Sequence, residues 1–322
     1  MKCVVALGAL LVVAVSPLRA QSGVGQSMAE QCAAAPTQAR DYCYRVVEAV
    51  EVVTPRVGIS FSGGNPVPGT ASTLGMRLGS LPRLSLGARV SASFVDIDGI
   101  ESFSDTEEQS FPIPSINLDG SIGIFPGVSL APTIAGFASV DLLASAGIIP
   151  LPEGEGFSGS VTSWSAGLRL GLLRESFTAP GVSLSAMYRG VGGVEYGAPD
   201  LGDEDAYFRL DDTRVWSARA AVSKRLLALG LTAGAGYDWY EGGATIRVRD
   251  PSSPGNAFEL SDDQLESSRL TLFGNASFTM MILQLSGEFG WQAGGDADLS
   301  LPSAERLEQG GLYGGLALRI VL

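Results

Sequence analysis

The 322-residue chain has no histidine, three cysteines and only 17% charged residues. Each shortage excludes something. Without histidine, the base of Ser–His hydrolases and of His–Asp pairs is missing, and so are imidazole metal ligands. No apolar run after the N-terminus approaches the roughly 20 residues of a membrane helix. A net charge of −13 argues against nucleic acid as a partner. No glycine-rich phosphate loop precedes a helix, and no Asp/Glu pair is singled out by its spacing. The expectation is therefore a protein with no catalytic residues, no metal ligands and no cofactor, and not an enzyme.

The N-terminus has the three parts of a secretory signal: Lys2, the apolar stretch Val4–Val15, and Ser16-Pro17-Leu18-Arg19-Ala20. Cleavage after Ala20 (residues 1–20) would remove Cys3, Lys2 and Arg19 and leave a net charge of −15. Cys32 and Cys43 then remain as an even pair in a compartment that permits disulfides, and a bridge between them is predicted. A two-cysteine metal site would have no histidine to complete it. Residues 21–54 form a segment of their own, in which Pro36 to Val53 can make a short helix with Val46, Val47 and Val50 as a partial apolar stripe. Such a segment can lie in the periplasm, plug a lumen or cap a barrel; a small stapled cap is the simplest of these.

What the chain does have is glycine, 42 residues of it, and two-residue alternation from position 55 onward. Leu84, Leu86, Ala88, Val90, Ala92 and Phe94 fall on one face of a strand; Arg83, Ser85, Gly87, Arg89, Ser91 and Ser93 fall on the other. Trp164 to Leu172, Leu283 to Trp291 and Leu312 to Leu322 repeat the pattern. About twelve such segments are predicted, near 55–62, 70–79, 83–96, 113–125, 128–141, 157–173, 181–195, 208–224, 226–248, 265–280, 282–294 and 308–322. Many match the roughly 9–11 residues with which a tilted strand crosses a bilayer. Short links (80–82, 126–127, 173–180, 225, 281) alternate with longer polar ones (63–69, 97–112, 142–156, 196–207, 249–264, 295–307). With the strands laid out this way, Phe61, Phe94, Trp164, Tyr188, Trp216, Trp239 and Trp291 all fall on apolar faces toward the long-loop ends, as an aromatic girdle at one interface would.

These features resemble the class of Gram-negative outer-membrane β-barrel proteins, porin-like in outline, over residues 55–322. The final strand of that class usually ends in an aromatic residue, whereas this chain ends in Leu322. The resemblance implies an all-β, closed antiparallel transmembrane β-barrel of about twelve strands, in the cell outer membrane and surrounded by its lipid. A soluble sandwich would need neither a one-sided aromatic ring nor alternating short and long loops.

Arg56, Arg77, Arg89, Arg169, Arg189, Arg219 and Arg319 fall on polar faces, with Asp119, Asp238 and Glu288, and alternation turns them into the lumen. As pore-lining groups they would favour small anionic solutes in a passive channel. The alternative is a closed-lumen structural or surface-interaction protein whose interior is filled by arginine–acid pairs. Acidic residues gather in the long loops: Asp96 to Glu108, Asp200 to Asp212 and Glu259 to Glu266. They are either solvated faces or sites for divalent cations. If the arginines line a passage, Arg89→Ala and Arg169→Ala shift the anion-to-cation selectivity measured in a planar bilayer.

Overall fold

The computed structural model describes residues 25–75, 82–100, 102–104, 107–129, 135–151, 156–202, 205–250, 256–295 and 309–322. The predicted signal segment lies outside them. Two helices, α1 (Gly25–Ala33) and α2 (Thr37–Ser62), are joined by a Cys32–Cys43 disulfide. Among the described residues thirteen strands follow: β1 (Leu84–Asp98), β2 (Glu108–Phe125), β3 (Ser139–Pro150), β4 (Phe157–Ser158), β5 (Ser160–Leu173), β6 (Gly181–Val191), β7 (Val194–Tyr196), β8 (Ala206–Leu210), β9 (Thr213–Leu226), β10 (Leu229–Arg249), β11 (Ala257–Met280), β12 (Leu283–Gln292) and β13 (Gly311–Val321). Ten of them make a closed antiparallel ring in the order β1-β2-β3-β5-β6-β9-β10-β11-β12-β13. The ring closes where β13 pairs with β1, from Ser85↔Val321 to Ser93↔Tyr313. Leu322 and Leu84 complete the seam by exchanging backbone hydrogen bonds.

Ten barrel strands rather than twelve is the first correction to the sequence reading. Residues 55–62 are the last two turns of α2, not a strand. Their alternation of Val57, Ile59 and Phe61 with small residues suits a helix buried on every side as well as a strand. Residues 70–75 run as an extended coil inside the barrel, and 76–79 lie outside the described residues. The third strand covers 139–150 instead of 128–141. The stretch 142–156, read as a long loop, is therefore mostly wall, and the connection 126–138 is longer than the predicted turn.

The wall is apolar outside and polar inside. Leu86, Leu118, Leu168, Leu231, Phe289 and Leu316 point outward and are 50–66% exposed. Ser91, Ser93, Ser115, Asn117, Asp141, Asp238 and Thr271 point inward and are buried. An exposed apolar surface of this extent is far beyond what a water-soluble monomer carries.

Ten strands about 4.8 Å apart and tilted by about 40° close on a backbone radius of about 10 Å. Once inward side chains are counted, that bore admits one helix about 10 Å across. α2 occupies it. Val53, Ile59, Ser60 and Phe61 are completely buried there. Beyond Ser62 the chain continues down the bore. Gly69 O accepts from Ser277 Oγ (3.1 Å), and Thr73 Oγ1 meets Ser139 Oγ (2.6 Å) near the short-turn end. Residues 37–75 thus run the whole length of the lumen, from the long-loop mouth to the short-turn mouth, before β1 begins.

At the long-loop mouth β10 and β11 continue past the ring. A register shift between Gly242 and Ala244 moves the partner of β10 from β9 to β8, and β7 and β4 extend that flap. The flap, the strand extensions and the β1–β2 connection wrap α1 and the first half of α2. Met28, Tyr42, Val46, Val50, Ile100, Phe157, Tyr196, Phe208, Ile246 and Leu260 share one apolar core there. Tyr42 donates to Ile100 O, and Arg45 donates to Gly99 O (3.1 Å) and Phe103 O (3.0 Å).

At Gly58 the helix packs directly on the wall: a Cβ there would lie 2.3 Å from the Tyr240 ring. Gly58→Val is expected to destabilise the folded barrel by about 1–3 kcal/mol through overpacking. The check is the heating midpoint of the folded band on a semi-native gel, which Tyr240→Ala in the same chain should partly restore.

Candidate functional site: the occupied lumen

α2 ends halfway down the barrel, away from bulk water, so its last carbonyls need donors. Gly63, at φ +58°, turns the chain and donates its N–H to Ile59 O (2.8 Å). The wall supplies the rest. Ser60 O accepts from Ser91 Oγ (2.8 Å) and Ser115 Oγ (2.6 Å). Phe61 O and Ser62 O accept from Arg89 (3.1 and 2.9 Å). Gly63 O and Gly64 O accept from Arg219 (3.4 and 3.0 Å). Two guanidinium groups therefore sit at the negative end of the helix, where cations are favoured. Just below, Glu288 accepts the Gly64 and Asn65 N–H groups (2.6 and 3.0 Å) and Asn275 Nδ2 (2.6 Å).

The same two arginines pair across the wall, Arg89 with Asp119 (3.3 Å) and Arg219 with Asp238 (2.8 Å), and so does a third, Arg169, with Asp141 (2.6 Å). Asp238 also accepts from Ser217 Oγ (2.6 Å) and Thr271 Oγ1 (3.0 Å), and Asp141 from the Leu74 N–H (3.0 Å). Arg56, expected on a strand, projects from α2 to Gln292 Oε1 (3.3 Å). Arg189 and Arg319 are buried inward on β6 and β13, and among the described residues neither has a carboxylate within ion-pair distance. Arg77 lies outside the described residues. Near the short-turn mouth Arg174 donates to Pro126 O (2.8 Å); burial, and then the charge of Arg83, hold its guanidinium below the usual arginine range.

Phe61 belongs to the lumen, not to the outer face, because it sits on α2. The other six aromatics face outward. Trp164, Tyr188, Trp216 and Trp239 lie on the consecutive strands β5, β6, β9 and β10, with Tyr188 between Trp164 (5.6 Å) and Trp216 (4.8 Å), and Trp216 opposite Trp239. Phe94 and Trp291 lie on β1 and β12. One step beyond this level the outward positions become charged: Asp96, Arg214, Glu241 and Glu266 are all exposed. Below it no Asp, Glu or Arg faces outward among the described strand residues. Lys224, close to the turns, folds back onto the carbonyls of Ser176 (2.9 Å) and Phe177 (2.8 Å). The turn tips themselves are apolar: Phe177, Leu227 and Met281 are more than 90% exposed.

The acidic positions lie at the long-loop end, where several are already paired: Asp205 with Arg249 (3.0 Å), Asp211 with Arg209 (3.4 Å) and Glu259 with Arg247 (2.7 Å). Among the described residues no group of three or more carboxylates or thiols is placed to hold a metal. Sequence reasoning missed Asp141, the closest acid partner in the lumen, because the misplaced third strand ended on it. It also missed Ser91 and Ser115, whose role appears only once a helix stands opposite them.

No protein-family model matches the chain, and no curated protein matches its sequence. Solved structures similar to it include the outer membrane protease OmpT from Escherichia coli, at 12% identity and TM-score 0.38 over 79% of this chain and 100% of that one. The translocator domain of the autotransporter NalP from Neisseria meningitidis is similar at 8% identity and TM-score 0.36, over 86% and 96%. The transport unit of the autotransporter AIDA-I from Escherichia coli is similar at 9% identity and TM-score 0.35, over 84% and 98%. Similarities at this level fix neither a family nor an activity.

Removing one member of a buried pair leaves an uncompensated charge. Asp141→Leu is expected to cost about 3–5 kcal/mol, and Asp141→Leu with Arg169→Met to recover most of it. Urea unfolding in detergent micelles, followed by tryptophan fluorescence, measures both.

Proposed function

We propose that this chain is an outer-membrane β-barrel occluded by its own N-terminal segment, and that it serves to present the disulfide-stapled helical head at the long-loop mouth as a structural or surface-interaction module. The observation that carries the reading is the path of residues 37–75 along the whole lumen, with the helix carbonyls bonded to the wall. A passive channel for anionic solutes, the other expectation, requires that segment to leave. The reading assigns no catalysis to the chain.

The outer surface supports the membrane part. On β9 the outward face from Trp216 to the turn residue Leu227 covers about 28 Å along the barrel axis, at about 3.3 Å per residue and a tilt of about 40°. That is close to the roughly 25 Å apolar band of such barrels. It is bounded by aromatics and then charges at one end and by apolar turn tips at the other. The turns between β9 and β10 and between β11 and β12 are two residues long, Leu227–Ala228 and Met281–Ile282, and short turns belong on the periplasmic side. The head then faces outward from the cell.

Two outcomes are expected. The refolded full chain gives no steady conductance in a planar bilayer, whereas a chain lacking residues 21–75 gives stable channels; steady conductance of the intact chain would overturn the occluded reading. In intact cells, a protease-cleavable tag inserted before Gly25 is cut, while one inserted between Leu227 and Ala228 is cut only after the outer membrane is opened.

A further inference from the structure

The two ends of the barrel carry charge of opposite sign. The long-loop end holds the acidic positions. At the short-turn end Arg83, Arg174, Lys224, Arg225 and Arg319 gather, at the start of β1 and the ends of β5, β9 and β13. Arg83 stands against Arg174, and Arg225 against Arg319, close enough for like charges to repel. The carboxylates at this level among the described residues are Asp141, Glu175 and the chain-terminal group of Leu322. Asp141 is held by Arg169, and Glu175 accepts from the Arg225 N–H and from Ser223 Oγ (3.5 Å). Arg83 and Arg225 are exposed, and among the described residues neither side chain has a carboxylate within ion-pair distance.

The turn tips beside these cations are apolar. Phe177 is 99% exposed, Leu227 98% and Met281 91%. Phe177 stands on a braced turn. The Ser176 N–H donates to Ala179 O (3.0 Å) and the Ala179 N–H to Ser176 Oγ (3.0 Å). Lys224 Nζ donates to the carbonyls of Ser176 (2.9 Å), Phe177 (2.8 Å) and Ala179 (3.3 Å). Leu226 and Leu229 flank Leu227, and Met280 and Leu283 flank Met281, so the tips continue the apolar outer face without a polar break. Apolar side chains held out of a fold in this way mark a contact with lipid or with a partner.

We propose that this rim docks on anionic phospholipid of the leaflet facing the short turns: Phe177, Leu227 and Met281 enter the glycerol and acyl layer, and Arg83 and Arg225 meet the lipid phosphates. Arg174, Lys224 and Arg319 add to the positive field behind them. Long basic side chains reach from apolar surroundings to a headgroup, and cations beside a bilayer favour anionic lipid over zwitterionic. The acidic long-loop end repels the same headgroups, so the preference belongs to one end of the barrel. The proposal rests on the membrane reading above and names a lipid class that the reading leaves open.

The test incubates the refolded full chain, in a neutral detergent, with equal amounts of phosphatidylglycerol and phosphatidylcholine, and weighs the retained lipid by native mass spectrometry. Phosphatidylglycerol is expected to be retained about fivefold over phosphatidylcholine. The ratio falls toward one in Arg83→Gln with Arg225→Gln, and is unchanged in Arg214→Gln with Arg247→Gln at the opposite mouth. A polarity-sensitive dye attached at Phe177→Cys, in vesicles of the same two lipids, is expected to emit as it does in an apolar medium. Equal retention by the intact chain, a preference that survives the Arg83 and Arg225 changes, or a dye that reports water overturns the proposal. A chain that inserts into no vesicle overturns the membrane reading itself, and this proposal with it.

Discussion

The free carbonyl end of α2, buried halfway down a bore with no bulk water, is the constraint from which most of the interior follows. A helix that stops in such a place leaves backbone acceptors that would each cost on the order of 1–3 kcal/mol if unmet. Ser91 and Ser115 on Ser60 O, Arg89 on Phe61 O and Ser62 O, and Arg219 on Gly63 O and Gly64 O meet them. Arginine suits this role because one planar group bonds two successive carbonyls and still reaches a carboxylate. The wall acids then have a reason to stand where they do: Asp119 and Asp238 compensate the two capping guanidinium groups.

This changes the meaning of the lumen arginines. Read as a row of inward cations, they suggest selectivity for anions. Taken with their partners, Arg89 and Arg219 terminate a helix, and Arg169 ties the plug to the wall through Asp141, whose carboxylate also accepts the Leu74 N–H. Replacing them would therefore act first on stability.

The barrel itself was legible because its wall obeys one rule along its length: alternate residues face lipid-like and polar surroundings. Trp216 and Val222 on β9, or Leu283 and Trp291 on β12, declare their side without any knowledge of a neighbour. The plug was not legible for a physical reason. A helix inside a polar-walled bore is buried all round, so the one-sided stripe that marks surface helices is absent beyond Val53. Val57, Ile59 and Phe61 are β-branched or aromatic and alternate with Arg56, Gly58, Ser60 and Ser62, which is also a strand's pattern. Pro55 lies within α2, where a proline ordinarily marks an end. The third strand went astray because Ala144, Ala146 and Gly147 carry almost no hydrophobic contrast across the wall.

The three ion pairs of the lumen join neighbouring strands of the ring: Arg89 and Asp119 on β1 and β2, Asp141 and Arg169 on β3 and β5, Arg219 and Asp238 on β9 and β10. None of the three draws its acid from the plug. The wall therefore keeps most of its charge compensation whether or not the bore is occupied, and what the plug adds is backbone: acceptors from residues 60 to 64 and N–H groups from Gly64, Asn65 and Leu74. Water could replace those partners in an emptied barrel, because serine, threonine, asparagine and glutamine recur along the inward face. The apolar head has no such substitute. Val46, Val50 and Met28 pack against Ile246, Phe208 and Ile100, and moving them into water would cost about 1.5–3 kcal/mol per large side chain. Occlusion is thus held chiefly by hydrophobic packing at the outer mouth, while the polar lumen below sets how the segment fits rather than how tightly it is retained.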